Sequence, residues 1–221
     1  MDNKTCWTGR RDALRHIAAS GAIGSGIFGM LREALADNPK TGMRSVKGGV
    51  TIDGKPAIIG QQVGPGQRVV TAGDGEAVFV IGDDAFLQRE NSEFGMESGA
   101  GIVVLRYLTG KILSVFGTGA KQLITPTATI GIRGTGCYIE AEPDRTYFCL
   151  CYGGAVVQPN ANPAMSKILR TRHHEQPLII SSSAAQDAML PAGVINHTDA
   201  ELVMLEALVG RKPPFDGQDR Y

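Results

Sequence analysis

From Val46 onward the chain reads as short runs of alternating apolar and polar residues, broken by glycine-rich turns. VKGGVTIDGKPAIIG alternates around Asp53-Gly54, a pair that adopts positive φ at little cost, and so predicts a hairpin. QRVVTAGDGEAVFVIGDDAFLQRE repeats the device at Asp74-Gly75, with a strand from Ala77 to Ile81, and LTGKILSVFG and TATIGIR follow at similar spacing. Strands of this length and interval predict an all-β domain over residues 46–157: a sandwich, a roll or a short solenoid of hairpins. The period changes in HTDAELVMLEALVGRKPPF, where Leu202, Leu205, Leu208 and Val209 form a helical stripe. Thr198 with Glu201 makes a capping box, and Gly210 with Pro213-Pro214 ends the run, so a helix is predicted over 199–209 within a C-terminal extension, 158–215. So short a helix must dock, and the β domain is its platform. Residues 216–221 are expected to form a flexible tail.

The N-terminal pattern is different again. Arg10-Arg11 and Leu14-Arg15 precede a Gly/Ala-rich stretch that carries no charge from Ile17 to Leu31, a basic region followed by a mild apolar one. With Leu14 at the right distance, the arginine pair resembles the twin-arginine (Tat) export motif. Residues 1–36 are therefore expected to be a Tat-type signal helix or anchor and 37–45 a linker. The uncharged stretch is too short for a comfortable membrane span, so no stable span is expected once the signal is removed. Gly24-Ser25-Gly26-Ile27-Phe28-Gly29 matches a dinucleotide-binding spacing, but no strand precedes it and no βαβ unit surrounds it.

Composition narrows the functions. The 221 residues hold 22 Lys plus Arg against 22 Asp plus Glu, so there is no basic excess to favour nucleic acid. No nucleophile elbow, P-loop or HExxH occurs, and Ser181, Ser182 and Ser183 have no recognisable base beside them, so no enzymatic activity is expected.

The candidate chemistry lies in GCYIEAEPDRTYFCLCYGG. Pro143-Asp144 is a turn centre, and pairing outward from it sets Glu140 opposite Tyr147, Ile139 opposite Phe148, Tyr138 opposite Cys149, Cys137 opposite Leu150 and Gly136 opposite Cys151. Opposed residues share a face. Cys137, Ile139, Phe148 and Leu150 then form a core face, and Tyr138, Glu140, Tyr147, Cys149 and Cys151 the other. Cys149 and Cys151 stand roughly 6.5 to 7 Å apart along the strand, at the limit of what a disulfide bridges. A shared metal ion is geometrically easier. His173, His174 and His197 lie downstream, and a Cys-x-Cys pair with histidines suits zinc or copper. Adjacent histidines on a strand point to opposite faces, so both could join one ion only from a loop. The plainer alternative is that the cysteines pack beneath the C-terminal segment and the histidines bond nearby backbone.

VKGGVTIDGKPA, QQVGPGQRVVTAGDGEAVFVIGDDAFLQ, LTGKILSVFG and LITPTATIGIRGTGCYIEA follow, in order, a pattern that resembles the FecR domain of periplasmic regulators, over about Val46 to Val157. Its most specific part is TPTATIGIRGT, with Thr125, Pro126, Gly131, Arg133, Gly134 and Thr135: the glycines would allow close strand crossing, and Arg133 would tie neighbouring carbonyls. The resemblance implies an exported all-β domain that binds or senses and performs no known chemistry. It does not extend to the cytoplasmic sigma-factor-binding domain of such regulators.

Three functions follow as expectations: an exported binding or sensory module of the bacterial envelope, facing a protein or small ligand in the periplasm; a periplasmic metal-binding or redox protein using Cys149, Cys151 and the histidines; or a scaffold in an envelope assembly.

Overall fold

The computed structural model describes residues 41–99, 102–184 and 188–215. The Arg10, Arg11 and Leu14 motif and the tail 216–221 lie outside the described residues. The all-β expectation holds: among the described residues fourteen strands form one connected sheet, with one α-helix near the C-terminus.

Turn chemistry explains the hairpins. β2 (Val50–Ile52) and β3 (Lys55–Pro56) pair across Asp53 (φ 51°) and Gly54 (φ 75°), as the Asp-Gly signal predicts. Asp74-Gly75 behaves differently. It joins β4 (Arg68–Thr71) to β5 (Glu76–Ile81), but these two strands do not pair: β4 lies between β2 and β7 (Ser92–Gly99), and β5 between β1 (Gly42–Lys47) and β6 (Asp84–Gln88). The Asp74 carboxylate instead accepts the Gly49 N–H at 3.1 Å, bracing the neighbouring turn. The true hairpin here joins β5 to β6, with Gly82 at φ 60°.

Three long strands close the sheet over its inner face: β8 (Ile102–Val115), β10 (Ala128–Ala141) and β11 (Arg145–Pro159). The first half of β10 pairs with β9 (Ala120–Ile124) and its second half with β8. β11 carries β13 (Leu178–Ser181) at its start and β12 (Lys167–Thr171) towards its end, and β13 in turn pairs with β14 (Met189–Pro191). Such exchanges of partner let one sheet bend round a single core. They also cross the expected boundaries: β1 begins inside the 37–45 linker, and β12, β13 and β14 of the C-terminal extension join the sheet.

The inner core centres on aromatic rings. Phe79 faces Phe86 across β5 and β6 with centroids 5.0 Å apart, and Phe94 lies 5.0 Å from Phe86. β5 shows why its run AVFVI lacks alternation: Ala77 and Phe79 enter this core, whereas Val78 and Val80 belong to a second apolar cluster on the outer face. Over that cluster lies α1 (Asp199–Leu208), burying Leu202, Met204 and Leu205, with the predicted capping box in place. Among the described residues, no helix is long and apolar enough to cross a membrane.

Gly110 shows how tightly the sheet is drawn together. Its φ is +88°, and a Cβ there would lie 2.4 Å from the Ser92 Cα. Gly110→Ala is expected to cost about 1–3 kcal/mol through overpacking, together with the strain of its φ, measured as a lower urea midpoint. An unchanged midpoint would show that the β7–β8 contact yields without cost.

Candidate metal centre

Cys149 and Cys151 reach the centre through the β10–β11 pairing. The predicted register holds from Cys137↔Leu150 to Glu140↔Tyr147, and Cys137, Ile139, Phe148 and Leu150 all face the inner core. It fails by one residue beyond: Gly136 pairs with Tyr152, leaving Cys151 as the extra residue of a bulge. The cause is close approach, since a Cβ on Gly136 would lie 2.4 Å from the Tyr152 ring. The bulge brings Cys151 and Tyr152 together into the outer cluster with Cys149, and all three are buried. This second face is thus covered by the C-terminal segment.

Of the TPTATIGIRGT residues, Thr125 accepts the Ala128 N–H at 2.9 Å and receives the Thr146 hydroxyl at 2.9 Å. Pro126 lends its carbonyl to Asn160 Nδ2 at 3.1 Å. Gly134 has φ 57° and Gly131 has open space where a Cβ would stand, so the close crossing falls to Gly136 and Gly153. Thr135 is buried. Arg133 is exposed, and among the described residues its side chain ties no neighbouring carbonyl.

The two adjacent histidines occupy a bend after β12, and His174 takes φ 57°. The His174 N–H donates to the Cys151 carbonyl at 2.9 Å, fixing the ring beside β11. Its Nδ1 lies 3.4 Å from Cys149 Sγ. His197, just ahead of the α1 cap, stacks on Tyr138 with centroids 4.7 Å apart and sets Nε2 3.5 Å from Cys151 Sγ. The two ring nitrogens are 3.1 Å apart. Cys149, Cys151, His174 and His197 are all buried, and their ligand atoms lie within 4.8 Å of one another. His173 does not join this group. It donates to Asp199 Oδ2 at 2.8 Å, while His174 Nε2 donates to Asp199 Oδ1 at 3.0 Å. Asp199, the first residue of α1, is the functional residue that sequence reasoning missed; the only clue was an acid two positions after His197.

These outer contacts select the tautomers. His197 Nδ1–H donates to the Ile195 carbonyl at 2.6 Å, and the Nε2 of His174 is committed to Asp199. His174 Nδ1 and His197 Nε2 therefore turn towards the two sulfurs and towards each other. Ligating histidines are held in this way, the outer N–H bound to a carboxylate or carbonyl. A tetrahedral zinc ion with ordinary bond lengths sets two nitrogens about 3.3 Å apart and a nitrogen and a sulfur about 3.6 Å apart. The observed 3.1, 3.4 and 3.5 Å are close to three of its six edges, and the other three are no longer than 4.8 Å. The four side chains can hold a metal ion.

Electrostatics also ask for a positive charge here. A hydrogen bond from Cys151 outweighs burial and, with His174 and His197, lowers the Cys149 thiol to about 4. Burial keeps the Cys151 thiol protonated, well above its ordinary range. Burial opposes a charged His174, but its bonds to Asp199 and Cys149 prevail and raise it to about 9. Without a metal, a proton on His174 Nδ1 occupies the middle of the group.

The fold and the site together define an all-β chain with a buried two-cysteine, two-histidine centre. No family profile matches the chain, and no curated protein does. Two crystal structures of a "putative anti-sigma factor" from Parabacteroides distasonis ATCC 8503 resemble it at 13% identity, with TM-scores of 0.46 and 0.45. Each match covers 56% of this chain and 57% of the other, so it spans little more than half of the known structure.

Proposed function

We propose that this protein is a non-enzymatic binding module of the bacterial envelope, built on a FecR-like β domain, and that its ligand is one divalent transition metal ion held by Cys149, Cys151, His174 and His197. The observation that carries the reading is the convergence of four buried ligand atoms within 4.8 Å, with both histidines oriented from outside by Asp199 and the Ile195 carbonyl. A set of two sulfurs and two nitrogens favours zinc over metals that prefer planar or octahedral oxygen sites. Four protein ligands leave no open position for a reacting water, which is the pattern of a structural or sensory site. Cys149, His174 and Asp199 also stand in nucleophile–base–acid order, but Cys149 has no exposed surface for a substrate to reach. Export by the Tat route fits this reading, because that route carries proteins already folded around a cofactor; the Arg10-Arg11 and Leu14 pattern supports it.

The test is elemental analysis of the full chain purified without chelators. About one equivalent of zinc per chain is expected. Protein that holds no metal and takes up neither zinc nor copper on titration would overturn the proposal. Zinc entry should displace the protons of Cys151 and His174, so about two protons are released per ion near neutral pH. Affinity should therefore weaken as pH falls, and more steeply below about 9, where His174 also gains its proton. Calorimetry in buffers of different ionisation enthalpy counts those protons.

A further inference from the structure

We propose that occupancy of this centre controls whether the C-terminal segment, residues 192–215, stays docked on the sheet, so that the metal acts as a releasable clasp over the outer apolar face. This inference rests on the metal-binding reading above.

The ligands come from parts of very different rigidity. Cys149 and Cys151 lie on β11, which is paired along most of its length with β10. His174 is pinned to that strand by its own N–H. His197 belongs to the C-terminal segment, and Asp199 at the start of α1 binds the rings of His173 and His174. An ion at the centre would thus fasten the N-terminal end of the helix to the middle of the sheet, linking positions 46 residues apart.

The helix has apolar and charged attachments of its own. Leu202, Met204 and Leu205 bury apolar surface. Glu201 and Glu206 are buried too, Glu201 bound to Arg89 at 2.7 Å and Glu206 to Arg211 at 2.6 Å as well as to the Tyr152 hydroxyl. Removing such carboxylates from water costs about as much as their pairing returns. A ten-residue helix does not persist alone in water, so once released it melts. Beyond β13 the segment is also held by β14, by the Tyr147 hydroxyl on the Gly193 carbonyl, by Arg89 on the Asn196 carbonyl at 3.0 Å, by Asn196 Nδ2 on Glu140 at 2.7 Å and by Arg211 on the Asp83 carbonyl at 2.6 Å, mostly at the exposed rim, where such bonds contribute little each. Release uncovers Val78, Val80, Leu87, Leu113 and Val115, a contiguous apolar face on β5, β6 and β8. The inner core does not depend on the helix, since Phe79, Phe86 and Phe94 pack on the opposite side.

Hydrogen exchange on the full chain tests the clasp, with metal content measured on the same samples. In zinc-loaded protein the amides of residues 202–208 should be protected. After chelation their exchange should rise at least about tenfold while β5, β6 and β10 keep their protection. Equal protection with and without zinc overturns the clasp and leaves the metal reading standing. Loss of protection throughout the sheet also overturns it, because the ion would then hold the whole fold. Protein that takes up no zinc removes both proposals. Coupling is reciprocal, so Leu205→Ala, which removes no ligand atom, should weaken zinc affinity about tenfold by disfavouring the docked state. Unchanged affinity in a folded Leu205→Ala protein likewise overturns the clasp.

Discussion

Cys149→Ser and His197→Ala are each expected to abolish the bound metal and to lower the melting temperature by about 10 °C relative to the zinc-loaded chain. An ion that binds only the folded state stabilises it by about 4 kcal/mol when present at a thousandfold excess over its dissociation constant, and each kcal/mol moves the midpoint of a chain this size by about 2–4 °C. Cys137→Ser is the control. Cys137 is as buried as the other two, but it faces Ile139, Phe148 and Leu150 in the inner core, where burial, with a smaller contribution from the Cys149 charge, raises its thiol. A serine hydroxyl there has no partner and should cost about 1–3 kcal/mol, while one equivalent of metal remains. Differential scanning fluorimetry with and without chelator separates the cases: chelator should shift wild type and Cys137→Ser and leave the other two unmoved. Retention of metal by both Cys149→Ser and His197→Ala would sink the assignment of these ligands.

Phe86→Ala should be the most damaging substitution remote from the centre, costing about 3–5 kcal/mol. Phe86 is fully buried and touches Phe79 at 5.0 Å, Phe94 at 5.0 Å and Phe116 at 5.8 Å between centroids. Those rings come from β5, β7 and the turn after β8, so the cavity left by an alanine adjoins three parts of the sheet that cannot collapse together. A domain of ordinary stability has only about 5–15 kcal/mol to lose. Equilibrium urea unfolding should show a much lower midpoint with an unchanged slope. A loss below about 1 kcal/mol would mean that the core repacks around the gap, and the aromatic cluster would not be the keystone proposed here. Metal content per folded chain should stay at one equivalent, because Phe86 faces away from the centre.

The centre was partly legible before any coordinates. The hairpin around Pro143-Asp144 could be paired by counting outward, because facing residues of an antiparallel pair share a side, and that arithmetic placed Cys149 and Cys151 together and Cys137 opposite them. It could not show the bulge at Cys151, which arises because Tyr152 packs over Gly136. Nor could it choose among the histidines. His174 enters through a positive φ and His173 does not, and adjacency in the chain gives no hint of which ring turns inward. Asp199 looked like an ordinary first-turn acid, which favours a helix N-terminus wherever it occurs; its grip on two imidazoles depends on where α1 docks.

By itself, the sequence determined what depends on near neighbours: strands at Val50, Ala77 and Thr129, the Asp53-Gly54 turn, the capped helix after His197, and the two faces of the cysteine hairpin. Periodicity and turn propensity act over a few residues, so they are written locally. Tertiary structure alone decided that the strands flanking the Asp74-Gly75 turn take other partners, how β8, β10 and β11 exchange partners to close one core, and which four of the candidate ligands meet. Those outcomes are set by packing between segments tens of residues apart. No local window of the chain contains the close approach of Tyr152 to Gly136 or of His197 to Cys151.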